Sequence, residues 1–175
     1  MADYPAHLAR AHRLFDGRTV TIRPIRPDDA ARTLEFLSRL SGESRYLRFQ
    51  KWIGAPSEKL TRFMTETDYD RQMAFVCTAP RGEGEEIVGD ARYVANADGE
   101  SCEFGIMVAD AWHNTGIAGL LMETLFQVAR SRGLKRMEGL VLAANTTMLH
   151  FARGLGFEAS SVPEDRTTMR VVKAL

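Results

Sequence analysis

The sequence predicts a single α+β domain built around a mixed β-sheet. Three β-branched and apolar runs, residues 72–78, 86–94 and 101–108, follow one another through short turn sequences, which indicates an antiparallel meander. A long amphipathic segment, residues 116–132, then leads into another strand at residues 134–142. A strand, a helix and a strand in this order form a crossover, so we expect one parallel pair inside a mostly antiparallel sheet.

Further elements flank this core on both sides, and they bring the expected total to about seven strands. Turn residues and helix-capping residues separate the elements, and apolar periodicity assigns their type. The remaining predicted elements are a strand at residues 19–25, helices beginning near residues 27, 46, 57 and 145, and closing strands near residues 157 and 167–172.

The chain length of 175 residues favours one domain, which we place at residues 18–175. Residues 1–17 are interpreted as an N-terminal arm with a helical turn at residues 8–15. The arm lacks the apolar core of a signal peptide, and no run approaches the length of a membrane helix. We therefore expect a cytoplasmic protein without a membrane partner, and the sequence leaves monomer and homodimer open.

Charge and cysteine content exclude several other classes. Lys plus Arg and Asp plus Glu both number 23, so no net charge attracts the protein to nucleic acid, and any anion site must be local. The two cysteines, Cys77 and Cys102, lie in predicted strands, and no second pair exists to build a metal site. We predict two reduced core thiols and no metal.

Small residues cluster where the long central helix begins, in the stretch HNTGIAG at residues 113–119. A helix N-terminus presents unpaired N–H groups and a partial positive charge, and it binds phosphate where side chains leave room. Gly116, Ala118 and Gly119 leave that room. A tight turn that needs small residues for packing explains the same pattern. The spacing fits neither the dinucleotide fingerprint nor the Walker loop.

This loop, with its flanking order, resembles the acetyl-CoA-binding core of the GNAT acetyltransferase superfamily. The family reads Gln or Arg, two residues, Gly, one residue, then Gly or Ala, and here His113 takes the first position. The downstream Asn145, the LGF sequence at residues 155–157 and the element order agree. The SGESRYLRF segment at residues 41–49 is most similar to GNAT domains of bacterial protein lysine acetyltransferases.

The resemblance implies a GNAT-like sheet in which the strands before and after the central helix splay apart at the acetyl-CoA site. The pantetheine arm would lie in that gap, against strand backbone, and the pyrophosphate would lie on the loop. The cofactor-binding residues implied are Ile106, Met107, Val108, His113, Asn114, Thr115, Gly116, Ile117, Ala118, Gly119 and Asn145. A plain helix N-cap is an equally good explanation of Asn145.

Transfer of an acetyl group to an amine needs a general base, because a lysine amine is protonated at neutral pH. Glu103 is our candidate, since it is the one acid between Glu100 and Asp110. Its apolar neighbours suggest a buried strand, and partial desolvation would make the carboxylate a stronger base. A side chain that faces solvent on the open side of the strand is the alternative. Asn145 is the second candidate catalytic residue. The Tyr that many family members carry seven residues after this Asn is replaced by Ala152.

Several readings stay open for the activity. The first is an N-acetyltransferase that uses acetyl-CoA and a protein lysine; a small amine or amino acid is the rival acceptor. A second reading is a sensor module that binds acyl-CoA without turnover, and a third is a nucleotide-binding protein of another class. Acids in residues 41–70 would attract a cationic acceptor; these are Glu43, Glu58, Glu66, Asp68 and Asp70. The basic residues Arg45, Arg48 and Lys51 would instead meet an acidic group, and a solvated helix face explains both sets.

Overall fold

The computed structural model describes residues 2–44 and 56–175, and its centre is an eight-stranded sheet in the order β1-β2-β3-β4-β5-β6-β8-β7. All neighbouring strands are antiparallel except β5 and β6, which are parallel. The strands are β1 (Arg10–Arg13), β2 (Thr19–Pro24), β3 (Gln72–Arg81), β4 (Gly84–Ala95), β5 (Ser101–Val108), β6 (Arg136–Leu142), β7 (Glu158–Val162) and β8 (Asp165–Ala174).

Four helices with both ends among the described residues pack on this sheet: α1 (Ala30–Arg39), α2 (Glu58–Thr65), α3 (Ile117–Ser131) and α4 (Thr146–Gly154). Side-chain caps begin two of them. Ser57 accepts a hydrogen bond from the backbone N–H of Leu60 at 3.1 Å, and Asn145 accepts one from Met148 at 3.1 Å. The mixed α+β class and the parallel crossover are thus confirmed. The helix predicted near residue 46 lies outside the described residues.

The N-terminal segment differs from its prediction. Residues 10–13 form the edge strand β1 instead of a helical turn, and a short 3₁₀ turn precedes it at Ala6–Leu8. The strand pairs with β2, from Arg10 opposite Ile22 to Arg13 opposite Thr19. The backbone of β2 offers hydrogen bonds at its outer edge, and that tertiary pairing overrides the local helical pattern. The sheet therefore has eight strands, one more than counted from the sequence.

The two faces of the sheet carry separate hydrophobic cores. On one face, Leu121, Leu125 and Phe126 of α3 pack with strand residues that include Tyr93 and Cys102. On the other face, Phe36 and Leu37 of α1 pack with a smaller set that includes Met64, Val76 and Met107. Strand alternation explains the split, because neighbouring residues of one strand point to opposite faces.

Both cysteines, Cys77 and Cys102, are buried and unbridged, as predicted. Burial raises the pKa of each thiol to about 12, so neither is a nucleophile at neutral pH. None of the helices in residues 2–44 and 56–175 is long and apolar enough to cross a membrane.

A buried ion pair joins β2 to the start of α1. The guanidinium of Arg23 bonds both carboxylate oxygens of the fully buried Asp29, at 2.8 and 2.7 Å. The same guanidinium contacts Glu85 at 2.7 Å. Burial opposes ionisation of Asp29, but the hydrogen bonds from Arg23 and from the Arg26 backbone hold its pKa below the usual value.

We expect Asp29→Asn to lower the free energy of unfolding by about 3 kcal/mol at pH 7, because it leaves Arg23 short of one charge partner. Since the folded-state pKa is depressed, the stabilisation exists above the unfolded pKa of about 3.9 and disappears as the pH falls. Urea denaturation at pH 7 and at lower pH measures this. Asp28→Asn, at an exposed neighbour, is the control. If Asp29→Asn lowered the free energy of unfolding equally at both pH values, the ionised carboxylate of Asp29 would not be the source of the stabilisation.

Candidate active site

The sheet opens between β5 and β6. These strands pair over three positions, from Ser101 opposite Arg136 to Glu103 opposite Glu138, and then separate. Beyond that point β5 keeps its register with β4 and β6 keeps its register with β8. The result is a cleft of about 1030 Å³ that runs along β5 to the first turn of α3.

The backbone of β5 presents alternate residues to this cleft. The N–H of Ala109 donates to Val88 O at 2.9 Å, and that of Asn96 donates to Ser101 O at 2.8 Å, so the odd-numbered residues of β5 bond β4. The register is regular between these points. The N–H and C=O groups of the even-numbered residues therefore point toward the gap; these are Phe104, Ile106 and Val108.

This alternation divides the strand residues expected to contact the cofactor into those whose backbone faces the gap and those whose backbone faces β4. Ile106 and Val108 direct their backbone into the gap, as their predicted role requires. Met107 directs its backbone toward β4, and its side chain is buried in the core beneath α1. Met107 nevertheless lines the cleft. Phe104 also directs its backbone into the gap, and the sequence did not single it out because strand pairing alone decides the direction of each N–H group.

One side of the gap is closed by aromatic packing. A Cβ atom built on Gly139 of β6 would lie 2.7 Å from the ring of Phe104, so the glycine makes room for that ring. The ring centroid of Phe104 lies 5.1 Å from that of Phe157. The backbone in the cleft is thereby backed by an apolar wall. The isolated Gly139 within a strand pattern was the available signal of a close approach.

The N-terminus of α3 lies at the far end of the cleft. Gly116 precedes the helix with φ +91°, Asn114 has φ +62°, and no side chain caps the helix. The first intrahelical bond runs from Leu120 N–H to Gly116 O. The N–H groups of residues 117–119 are therefore oriented outward, with no capping side chain. Such an end attracts an anion.

The predicted loop residues contribute in different ways. His113, Asn114, Gly116, Ala118 and Gly119 line the cleft. Thr115 lines it too, and its hydroxyl donates to Trp112 O at 2.6 Å, which fixes the loop. Ile117 places its side chain in the core, so only its backbone faces the helix end.

His113 holds the end of β5. Its Nε2 lies 3.0 Å from the carbonyl oxygen of Val108, so the ring donates from Nε2–H to that oxygen. The ring of His113 thus links the loop to a carbonyl that faces the gap. With the imidazole in this position, the outward N–H groups of α3 are among the donors that the loop offers to a phosphate.

Glu103 lies at the last paired position of β5 and lines the cleft. The expectation of burial was wrong, because the structure places its side chain in an exposed position. Alternation along β5 explains this: Cys102 and Phe104 point into the core beneath α3, and Glu103 points to the opposite face where the two strands part. The carboxylate of Glu103 is therefore accessible to solvent in the free protein.

Asn145 lines the cleft across from β5 and serves at the same time as the N-cap of α4. The cap engages its Oδ1 atom and leaves the amide NH₂ group for another partner. Ala152 is buried, and Phe151 beside it lines the cleft. Within the described residues, no tyrosine lines this cleft.

The segment that follows α1 forms part of the cleft wall and contacts the residues that follow β5. Ser41, Glu43 and Ser44 line the cleft, and the hydroxyl of Ser44 donates to Asp110 at 3.0 Å. Asp68, by contrast, accepts the N–H groups of Asp70 and Gln72, so it shapes a turn. Of the acids considered for an acceptor in residues 41–70, Glu43 lies at the cleft.

The family whose members carry the Acetyltransferase (GNAT) domain matches residues 19–158, which is most of the chain. The chain is a GNAT acetyltransferase. The family uses an acyl-CoA as co-substrate, and the outward N–H groups of α3 together with the open edge of β5 fit the phosphates and amide-containing arm of such a molecule.

Sequence relatives agree with this assignment. Acetyltransferase PA5475 of Pseudomonas aeruginosa is 36% identical over 154 residues, covering 88% of this chain and 83% of that protein. Acetyltransferase Pat of Mycolicibacterium smegmatis is 30% identical over 141 residues, covering 80% of this chain. The match spans only 41% of Pat, so this GNAT enzyme corresponds to a part of that longer protein.

Solved structures give the same fold. The GNAT domain of S. lividans PAT superposes with a TM-score of 0.88 at 30% identity, covering 99% of this chain and 100% of that one. A cAMP-binding acyltransferase from Mycobacterium smegmatis has a TM-score of 0.65 at 24% identity, covering 95% of this chain and 46% of that one. The second likeness shows the fold alone.

A substitution at Gly119 tests whether the first turn of α3 binds an anion. A Cβ atom at this position meets nothing within 4 Å, so a larger side chain fits the free protein but projects into the cleft. We expect Gly119→Leu to weaken CoA binding at least tenfold in calorimetry. Its free energy of unfolding should stay equal or rise by up to about 1 kcal/mol, because Gly is a poor helix former.

Gly154→Leu is the matched control. Gly154 is also a helical glycine with nothing within 4 Å of an added Cβ, and it lies outside the cleft lining. This variant should bind CoA as the parent does. Unchanged affinity in Gly119→Leu would remove the first turn of α3 from the binding site.

Proposed function

We propose that this enzyme transfers an acetyl group from acetyl-CoA to a primary amine of a protein lysine, with Glu103 as general base. One observation carries the proposal: Glu103 stands where β5 and β6 part, and α3 begins at the other end of the same cleft. Five residues of strand separate Glu103 from Val108, which is about 16 Å. An extended pantetheine arm has a comparable reach.

The open strand edge supports the orientation of the co-substrate. The phosphates would lie on the N–H groups of residues 117–119, and the amides of the pantetheine arm would pair with Ile106 and Val108. The thioester would then reach the region of Phe104, whose N–H group points into the gap. A backbone N–H group there stabilises the oxyanion that develops on the thioester carbonyl.

A general base is required because the acceptor amine is protonated. With a pKa of about 10.4, a lysine side chain is neutral in about one molecule in 2,500 at pH 7, and removing the proton costs about 4.6 kcal/mol. Glu103 takes this proton, the amine nitrogen bonds to the acetyl carbon, and the carbon–sulfur bond breaks. The sulfur can leave as a thiolate, since a free thiol has a pKa of only about 8.5.

Charge favours a cationic acceptor over an acidic one. The acids among the described cleft residues are Glu43, Glu103 and Asp110, and none of those residues is a lysine or an arginine. A positively charged amine is therefore drawn to the mouth of the cleft. This charge and the resemblance to bacterial protein lysine acetyltransferases together support a lysine acceptor over an amino acid, whose carboxylate these acids would repel.

We expect Glu103→Gln to lower turnover at least tenfold and to leave the affinity for acetyl-CoA nearly unchanged, because the amide cannot accept the proton. Thiol release with a lysine peptide measures turnover, and calorimetry measures affinity. Glu100→Gln, at an exposed acid three residues earlier that pairs with Lys135, is the control and should keep normal turnover.

Three results would count against this proposal or a part of it. Normal turnover in Glu103→Gln would assign the base to another group. Tight CoA binding by the parent protein without thiol release, across a panel of peptides and small amines, would favour the alternative of a non-catalytic acyl-CoA sensor. Release with small amines only would favour the small-molecule acceptor.

A further inference from the structure

Two exposed apolar side chains flank Glu103. The exposed large hydrophobic residues of the described ranges are Phe15, Phe63, Val94 and Leu140. Val94 is 43% exposed and Leu140 is 48% exposed. Exposed apolar residues are ordinary when scattered, but these two lie beside the proposed base, and this placement calls for a physical reason.

Strand register defines the placement. Val94 of β4 lies directly opposite Glu103, and Glu138 of β6 lies opposite Glu103 on the other side. Paired residues share a face of the sheet, and so do residues two apart on one strand. Leu140, two residues after Glu138, therefore lies on the face of Glu103, and it lines the cleft. Val94 lies across the β4–β5 ladder from Glu103, where neighbouring strands are about 4.8 Å apart, whereas Leu140 lies on the opposite wall of the gap, just beyond the last paired position.

Charged groups bound this apolar pair. Arg170 of β8 lies opposite Leu140 and forms an ion pair with Glu138. Glu138 lies directly opposite Glu103, on the same strand as Leu140, and its carboxylate is paired with Arg170. The face thus presents one hydrocarbon side chain on each side of Glu103. This arrangement matches an amphipathic chain that has an apolar stem and a cationic end, because such chains bury the stem and leave the charge at a polar group.

We propose that Val94 and Leu140 bind the alkyl stem of the acceptor amine, so that the enzyme selects amines carried on an unbranched hydrocarbon chain. This inference rests on the proposed function and adds the structural basis of acceptor choice. The carboxylate of Glu103 meets the amine, and the two flanking side chains remove the methylene groups from water. Polyhydroxylated amines and α-amino groups lack such a stem and lose this contribution.

A series of peptides that differ only in the acceptor residue tests the proposal. The acceptors are ornithine, lysine and homolysine, whose amines have similar basicity and whose stems differ by one methylene each. In the parent enzyme we expect kcat/KM to rise about two- to fourfold for each added methylene, the range set by burial of one CH₂ group. In the double variant Val94→Thr with Leu140→Thr this dependence should flatten, because threonine preserves the strand but carries a hydroxyl.

Control variants separate this role from general effects. Phe63→Gln and Phe15→Ser remove the other exposed large hydrophobic residues, and both should keep the parent dependence on stem length. The KM for acetyl-CoA and the melting temperature of the double variant should match the parent values. A longer stem could also raise kcat/KM simply because the amine reaches the thioester more easily, and that effect would persist in the double variant. A loss of the dependence of kcat/KM on stem length therefore reports on Val94 and Leu140.

Each outcome decides the question. A parent enzyme with no dependence on stem length, or a double variant that keeps the full dependence, would overturn the inference and leave the proposed function standing. If the parent acetylates none of the three peptides, then the lysine acceptor itself is wrong and this inference falls with it. Flattening in the double variant together with unchanged controls would support it.

Discussion

The unpaired edge of β5 is the feature on which the site depends. After Glu103 the strand loses its neighbour, and the N–H and C=O groups of alternate residues are left without a ladder partner. Such groups must be satisfied by water or by a ligand. The gap does not close, because each strand is fixed from its other side: β4 holds β5 to its last residue, and β8 pairs with all seven residues of β6.

Side-chain packing maintains this separation on the face beneath α3. The ring of Phe104 occupies the space where a side chain of Gly139 would stand, and it leans on Phe157, whose ring is 5.9 Å from that of Phe126 of α3. The rings of Phe104, Phe157 and Phe126 therefore connect the point where β5 and β6 separate to α3, and the N-terminus of α3 lies at the end of the cleft. One rigid assembly positions both the open edge and the bare helix end, and this suits the binding of a long molecule at two points.

Much of the cleft could be predicted from the sequence, because its elements depend on residues that are close in the chain. The apolar period of α3, the small residues Gly116, Ala118 and Gly119, and the cap at Asn145 are all present in the structure as predicted. The misjudged points, the N-terminal strand and the burial of Glu103, depend on distant partners. β1 exists because β2 offers an edge, and Glu103 is exposed because β6 departs next to it.

The exposure of Glu103 has a mechanistic consequence. A base that serves a protein acceptor must receive the amine from solvent and return the proton to solvent in each cycle, and a carboxylate beneath a helix could do neither without an opening motion. In the proposed mechanism, the carboxylate at the parting of β5 and β6 would meet the acceptor from one face of the sheet, while the strand backbone would contact the thioester within the gap.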